Sequence, residues 1–287
     1  MENQAISAEN RRRIQSFRLM DDIFMQVCFS DNRECVELVL RIILKRPDLR
    51  VQSVQTQKTL KNLHGRSLCL DIAATDSEQT EYDIEIQRAD QGAQARRARY
   101  HSSLMDASHS DVGRHCERLP ESYVIFITEH DVLKGGEALY VFERRQAKGR
   151  CLGDGTHIVY VNGERRGQES ELSKLMHDFF CTRPEEMYFE LLARTVGYYK
   201  RDERGLRDMN GVMEALREEG RREGRKEGRE KGRKEGRKIG LDEGRMAEKS
   251  RTATKMLALG KLTLEDIAEY TGLELDAVRA LAEKQQD

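Results

Sequence analysis

Two carboxylates on neighbouring strand-like segments could together hold a metal ion. Residues 67–75 and 81–87 each alternate apolar and polar side chains, and the polar residues between them are typical of a turn. In the hairpin that this pattern predicts, Asp71 lies directly opposite Glu85, and the two side chains share one face. Facing carboxylates repel each other, so the pair suggests a bound cation. Hard divalent cations bind oxygen ligands, which makes Mg²⁺ or Mn²⁺ the expected metal.

The hairpin also predicts what surrounds the metal. Gln87 projects from the same face as Glu85 and could orient an attacking water molecule or a phosphate oxygen. It cannot act as a general base, because an amide does not usefully accept a proton near pH 7. A metal at Asp71 and Glu85 could activate the water and stabilise charge on a phosphate. The opposite face of the hairpin is expected to carry Leu70, Ile72, Ile84 and Ile86.

A second interpretation of the same strand needs no metal. Glu81, Asp83 and Glu85 alternate with other residues, and such an acidic row is usually the solvated outer face of a sheet. The spacing of these carboxylates leaves both interpretations open.

The cysteines and the remaining histidines follow no metal-binding pattern. The six cysteines are scattered without a CxxC pair, so we expect reduced, structural thiols and a cytoplasmic location. His101, His109 and His115, together with Cys116, also lack a recognised ligand spacing.

The distribution of apolar residues predicts an α/β domain with a charged extension. Apolar spacing indicates helices, and short branched or aromatic runs indicate strands, of which residues 123–128 are the clearest. Together they predict a mixed sheet flanked by helices in a domain at residues 17–200, after a polar arm at residues 1–16. No segment approaches the ~18 apolar residues of a membrane span, and the start lacks the apolar core of a signal peptide. Helices are predicted at 17–45, 93–107 and 170–200, and strands at 51–58, 67–75, 81–87, 123–128, 138–145 and 157–162.

The order of these elements and three segments resemble the PD-(D/E)XK nuclease superfamily, and in particular its recombination-promoting nuclease (Rpn) and transposase-related branch. The segments are GRSLCLDIAATDSEQTEYDIEIQRAD, ARRARYHSSLMDA and SYVIFIT, and the resemblance covers about residues 17–200. The family's pattern of an Asp followed by Glu-x-Gln on the next strand matches Asp71, Glu85 and Gln87. Gln in place of the superfamily's Lys is typical of this branch. The resemblance implies a core of four mixed strands and metal-dependent cleavage of DNA, with the metal held by Asp71, Glu85 and the backbone carbonyl of Ile86.

Several residues around the predicted site are candidates for contact with DNA. By the resemblance, Arg97 and Tyr100 lie on the helix that lines the active site, and Arg96 is an alternative to Arg97 because the sequence does not fix the helix register. Arg66 precedes the strand of Asp71 and could neutralise a phosphate. The net charge of the chain, −1, neither requires nor excludes DNA, because a local patch decides that binding.

A glycine repeat marks the charged extension at residues 201–251. Seven glycines fall at every fourth residue from Gly220 to Gly244, mostly in EGR(K/R) units. A four-residue step turns a helix by about 400°, so the glycines would form a slowly drifting stripe. Each glycine costs about 1 kcal/mol relative to alanine, but the stripe lets another helix approach closely. We therefore expect a homo-oligomer through residues 214–250, with a flexible charged linker as the alternative.

Residues 252–287 are predicted to form a small helix-turn-helix-like unit. Thr263 followed by two acidic residues indicates a helix start, and Gly272 indicates the turn before a second helix. That second helix, at residues 274–283, is acidic, which favours contact with protein over the reading of DNA.

Three functions are compatible with these patterns. The presence of all three signature positions favours a divalent-metal-dependent DNA endonuclease, which the resemblance associates with recombination or mobile elements. The alternatives are a catalytically silent nucleic-acid-binding protein and an oligomeric adaptor, each with the nuclease fold. DNA affinity without metal-stimulated cleavage would indicate the first alternative, and a monomer in solution would count against the second.

Overall fold

A six-stranded mixed sheet with helices on both faces forms the larger part of the protein, whose architecture comes from a computed structural model. The structure describes residues 6–62, 65–109 and 116–284, and His115 and the side chain of Cys116 lie outside them. The strands are β1 (Val51–Leu60), β2 (Leu68–Asp76), β3 (Glu81–Gln87), β4 (Ser122–Thr128), β5 (Leu139–Phe142) and β6 (Thr156–Asn162). Their order is β1-β2-β3-β4-β6-β5, with β3–β4 and β4–β6 parallel and the other neighbours antiparallel.

The helices follow the predicted order. They are α1 (Ala8–Ser16), α2 (Asp22–Phe29), α3 (Arg33–Leu44), α4 (Ala95–His109), α5 (Glu171–Phe180), α6 (Glu190–Arg201), α7 (Glu203–Leu259), α8 (Leu264–Thr271) and α9 (Leu275–Glu283). Short 3-10 helices lie at Asp90–Ala93, Cys116–Arg118 and Pro184–Glu186. The predicted mixed α/β fold with a long charged helix and a small helical tail unit is confirmed. Within the described residues the sheet has six strands, two more than the core of four that the family resemblance implied.

Each face of the sheet packs against its own helices. One face carries Ile84 and Ile125 and is covered by apolar residues of α1, α2, α3, α5 and α6 and of the first turns of α7. The other face carries Val124 and Phe126 and is covered by α4, through Ala98 and Met105. Successive side chains of β4 point to opposite faces of the sheet, which is why this strand contributes to both cores.

Two segments that the sequence predicts as single helical regions each form two helices. Residues 17–45 form two helices because Asp31 has a left-handed backbone (φ 51°) and the Asn32 side chain begins α3 by accepting a hydrogen bond from the N–H of Cys35. Residues 170–200 also form two helices, because Pro184 interrupts the segment and starts a 3-10 turn.

Residues 1–16, expected as a polar arm, contain helix α1. Ser7 caps this helix, and Ile14 is fully buried in the core that covers one face of the sheet. The buried Lys200 of α6 holds the far end of α1, because its ammonium group donates to backbone carbonyls left open where a helix ends. The accepting carbonyls belong to Gln15, Phe17 and Thr182. One buried apolar residue among polar neighbours was too weak a signal for a packed helix.

The chain divides into one unit that ends at Glu214 and another that begins at Ala215. The first unit contains the sheet, and its core extends beyond residue 200 to Leu206 and Met213. The second unit contains the remainder of α7 with α8 and α9. A capping box of Thr263 starts α8, and the unit has its own small core of Ala253, Ile267, Leu273 and Val278.

The glycine repeat lies within helix α7. A Cβ placed on any glycine from Gly220 to Gly244 would meet no described atom within 4 Å, apart from the helix's own backbone and chain neighbours. The sequence left open whether residues 201–251 form a helix or a flexible linker. In the structure they are helical from Glu203 onward. Across the described ranges of the chain, none of the helices has both the length and the apolar character needed to cross a membrane.

Candidate active site

The β2–β3 hairpin has the register that the sequence predicts. Pairing runs in step from Thr75 opposite Glu81 to Ile72 opposite Ile84, and Asp71 and Glu85 are the next residue of each strand. The turn is held by the buried Asp76, whose carboxylate accepts hydrogen bonds from two backbone N–H groups of the turn. Loop length thus fixed which two carboxylates meet.

Asp71 and Glu85 interlock through backbone groups of the opposite strand. The N–H of Asp71 donates to Oε1 of Glu85 at 3.0 Å, and the N–H of Ile86 donates to Oδ2 of Asp71 at 3.2 Å. On the other side, the Gln57 side chain of β1 donates to Oδ1 of Asp71 at 3.3 Å. Gln57 itself has a left-handed backbone, φ 54°, which only glycine adopts without cost. Three strands therefore position these two carboxylates.

Helix α4 adds Arg97 to the same place. Its Nη2 donates to Oε2 of Glu85 at 2.7 Å, and its Nη1 donates to Oε1 of Gln87 at 3.2 Å and to the carbonyl of Gly92 at 2.8 Å. The amide nitrogen of Gln87 donates in turn to Oε2 of Glu85 at 3.3 Å. A Cβ at Gly92 would lie 1.8 Å from Oε1 of Gln87, so this close approach requires glycine. Of the two arginines that the sequence left open, Arg97 reaches the site.

Two further residues, Asp83 and His101, complete a buried cluster under α4. Nδ1 of His101 lies 2.7 Å from Oδ2 of Asp83 and 3.9 Å from Oε1 of Glu85. Arg97 Nε donates to Nε2 of His101 at 3.1 Å. Among the described residues, Oδ1 of Asp83 is buried and has no hydrogen-bond partner.

The solvated-face interpretation of β3 is wrong for its last two carboxylates. Asp83 and Glu85 are both 0% exposed, and only Glu81, at the start of the strand, reaches solvent in part. The cause is α4, which lies over this face and buries whatever projects from it. Asp71 and Gln87 remain partly exposed and mark the side from which solvent reaches the cluster.

Burial shifts the protonation of these carboxyl groups. It raises the pKa of Asp83 to about 8, and the nearby charge of Asp71 acts in the same direction. Burial also raises the pKa of Glu85, helped by Asp83 and Asp71. The pKa of Asp71 is raised by burial and then by the charge of Asp22 at the start of α2. Burial lowers the pKa of His101, which favours the neutral imidazole.

The donor set fits a hard divalent cation. Three carboxyl groups, Asp71, Asp83 and Glu85, face a single arginine, so the cluster has an excess of oxygen ligands. One of these oxygens, Oδ1 of Asp83, has no partner in the described part of the chain. Asp83, Glu85 and His101 also offer ligand atoms that all lie within 4.8 Å of one another. A metal bound beside Asp71 and Glu85 would add positive charge to this group of acids.

The predicted DNA-binding residues differ in their surroundings. Arg66 and Arg96 are exposed, as a phosphate contact requires. Tyr100 instead ties down the segment before β2, because its hydroxyl donates to the carbonyl of Arg66 and accepts from the side chain of Asn62 at 3.2 Å. In this conformation both of these contacts of the Tyr100 hydroxyl are to protein groups.

Leu70 departs from the predicted alternation. It was expected on the face of Ile72 but packs in the core beneath α4, whereas Ile72 packs in the core of the other face. The regular pairing of β2 with β3 ends at Ile72, and β1 carries the left-handed Gln57 beside this row. The strand consequently does not keep a strict two-residue alternation there.

Sequence reasoning missed the roles of Asp83 and His101. His101 was considered only with other histidines, yet it joins carboxylates. A signal was present, because Asp83 lies two residues before Glu85 and so shares its face, while His101 lies four residues after Arg97 on one helix. The sequence does not show that α4 lies over the face of β3 that carries Asp83 and Glu85.

Comparison with known proteins gives one match. A family model described as a PD-(D/E)XK nuclease family transposase matches residues 30–189, which is more than half of the chain and includes β2, β3 and α4. Searches of the curated proteins and of the solved structures found no match.

Proposed function

The chain belongs to the PD-(D/E)XK nuclease family, and we propose that it is a divalent-metal-dependent endonuclease that hydrolyses phosphodiester bonds in DNA. The observation that supports this most is the interlock of Asp71 and Glu85 across β2 and β3, with Gln87 on the same face. Membership of a nuclease-transposase family supports an association with recombination or mobile elements. A cytoplasmic location is part of the same proposal.

Asp71, Glu85 and the backbone carbonyl of Ile86 are the proposed ligands of Mg²⁺ or Mn²⁺. When bound, such an ion would activate a water molecule and stabilise negative charge on the phosphate. Asp71 is the ligand nearest solvent, whereas Glu85 is fully buried and held by Arg97 and Gln87. Oε2 of Glu85 accepts from both Arg97 and Gln87, so a metal on that oxygen requires one of these side chains to move.

Arg97 and Gln87 are the proposed contacts to the phosphate and the water. Arginine has five N–H donors, of which four serve Glu85, Gln87, Gly92 and His101. Its side chain is 37% exposed, so the remaining Nη2–H can reach a phosphate oxygen. Gln87 is partly exposed and has one amide N–H beyond its bond to Glu85. Arg66 and Arg96, both exposed, are proposed to neutralise phosphates further along the DNA.

Cleavage of supercoiled plasmid by the purified protein tests the proposal. We expect nicking with Mg²⁺ or Mn²⁺, none with EDTA, and a loss of at least about 100-fold in Asp71→Asn and Glu85→Gln. Glu81→Gln is the matched control, because Glu81 lies on the same strand but at the other end and outside the site. The absence of nicking by folded wild-type protein with either metal would contradict the proposed nuclease function.

A catalytically silent nucleic-acid-binding protein is the alternative that the structure also supports, because Glu85 is sealed by its three hydrogen bonds. Fluorescence anisotropy with labelled DNA separates the two. Binding that metal does not turn into cleavage would favour the silent protein. Loss of DNA binding in the double variant Arg66→Ala/Arg96→Ala would support the proposed DNA contacts in either case.

We further propose a homo-oligomer through residues 214–250. The support is the row of glycines in α7, which leaves a slowly winding stripe along the helix without side chains. Light scattering on the intact protein should give a mass above one chain, and Gly232→Leu should lower it. A monomer at micromolar concentration would contradict this proposal and with it the adaptor function.

A further inference from the structure

His101 is fully buried between a carboxylate and a guanidinium group, although none of the proposed chemistry uses it. Nδ1 lies 2.7 Å from Oδ2 of Asp83, and Nε2 accepts from Nε of Arg97 at 3.1 Å. The imidazole ring also contacts the ring of Phe126, with 5.8 Å between the ring centres. Both nitrogens are thus engaged where water does not reach.

Arg97 decides which ring nitrogen carries the proton. The N–H groups of a guanidinium can only donate, so Nε2 of His101 must be the unprotonated acceptor. In the neutral imidazole the proton is then on Nδ1, from which it is donated to Asp83. A single tautomer satisfies both contacts, and Asp83 favours that tautomer from the other side.

We propose that His101, oriented by Asp83, is a positioning residue that holds the guanidinium of Arg97 in the active site. The side chain of Arg97 is flexible and partly exposed, and its two Nη atoms already serve Glu85, Gln87 and Gly92. The hydrogen bond from Nε to His101 engages the third nitrogen of the planar guanidinium group and so fixes its orientation. His101 follows Arg97 by one helical turn, so the same helix sets both partners. The contact of Arg97 with a phosphate rests on the proposed nuclease function. The orientation of Arg97 by His101 does not depend on that function.

The same geometry argues against His101 as a metal ligand. Asp83, Glu85 and His101 are close enough to surround an ion, with Nδ1 as the nearest nitrogen. A metal on Nδ1 would force the ring proton onto Nε2, where it would meet the Nε–H of Arg97, donor against donor. If His101 bound a metal, Arg97 would have to give up its hydrogen bond to Nε2. If His101 positions Arg97, that hydrogen bond must remain.

Imidazole nitrogen NMR on ¹⁵N-histidine-labelled protein in EDTA tests the tautomer without DNA. His101→Gln identifies the His101 signals, and we expect the wild type to show the Nδ1–H pattern. Arg97→Lys keeps the charge but removes the Nε–H donor, so a mixture of tautomers should appear. Arg99→Lys, an exposed arginine of the same helix, is the matched control and should change nothing. An Nε2–H pattern in the wild type, or no response to Arg97→Lys, would overturn the proposal.

Zn²⁺ and Mg²⁺, each added alone to the same sample, test the ligand alternative. Positioning predicts that Nδ1 of His101 keeps its proton with either ion. Loss of the Nδ1 proton with either metal would make His101 a ligand and would also overturn the proposal.

Plasmid cleavage then tests the consequence for the reaction. His101→Ala is expected to lower kcat by about 10- to 100-fold with little change in KM, because the guanidinium is still present but no longer fixed. His101→Gln should recover part of kcat, since its amide oxygen can accept from Arg97 Nε. Cleavage by the wild type together with full kcat in His101→Ala would refute positioning. If the wild type does not cleave at all, the NMR result still decides whether His101 holds Arg97, and only the nuclease function fails.

Discussion

Replacement of Asp83 by Asn is expected to stabilise the metal-free protein at neutral pH. Asp83 is fully buried, and in the described residues only Oδ2 has a partner, the ring of His101. Burial raises the pKa of this carboxyl group from 3.8 to about 8. At pH 7 the folded protein therefore retains a proton that the unfolded chain releases.

Proton linkage gives the sign and the size of the effect. The unfolded carboxyl group loses its proton above pH 3.8 and the folded one only above about pH 8, so stability is full in acid and falls as the pH rises through this window. Each pH unit within the window removes about 1.4 kcal/mol, which amounts to about 4 kcal/mol by pH 7. Asn has no proton to lose, and its side-chain oxygen can still accept from Nδ1–H of His101. The gain expected for Asp83→Asn at pH 7 is therefore up to about 4 kcal/mol.

Urea unfolding followed by circular dichroism, in EDTA between pH 4.5 and 8.5, measures this gain. The wild type should lose stability with rising pH, and the Asp83→Asn variant should show a flatter profile. Asp90→Asn is the matched control, because Asp90 is an exposed carboxylate whose partner is the exposed His130. A variant that is less stable than the wild type at pH 7, with the same slope against pH, would refute the reasoning. Asp83 would then be ionised in the folded protein.

Four other outcomes are expected. Lys200→Met should lower the free energy of unfolding by about 2–4 kcal/mol in urea titrations, because it leaves three backbone carbonyls without a donor. Gln57→Gly should be about 1 kcal/mol more stable than Gln57→Ala, since both remove the bond to the carboxylate but only glycine relieves the left-handed backbone. Gly92→Ala should displace the amide of Gln87 and reduce plasmid nicking without loss of fold by circular dichroism. A chain ending at Glu214 should unfold in one cooperative transition, because the core of the first unit ends before that residue.

The hairpin could be predicted from the sequence because its information is local. Loop length and two-residue alternation determine which residues pair, and together they predicted the register from Thr75–Glu81 to Ile72–Ile84, at the end of which Asp71 and Glu85 meet. The strand at 123–128 was equally clear, since its apolar run is buried on both faces. These features depend on residues close together in the chain.

The environment of β3 could not be predicted because it depends on distant elements. Whether Asp83 is solvated or buried is decided by α4, which crosses the opposite side of the sheet from most other helices. The amino-acid pattern of β3 is the same in either case. Likewise, α1 packs because Lys200, far along the chain, binds its last carbonyls, and no local pattern records that contact.

The buried carboxyl groups are themselves an argument for function. A hairpin whose only task was to fold would be more stable with an amide at Asp83, since this buried acid must keep a proton at neutral pH. The protein instead keeps three acids around one arginine and retains one oxygen of Asp83 unsatisfied in the described structure. Such local conflict is expected where a site is built to receive something that the chain does not contain. A divalent cation would relieve it directly, so the stability of the wild type should rise with Mg²⁺ or Mn²⁺ while that of Asp71→Asn should not.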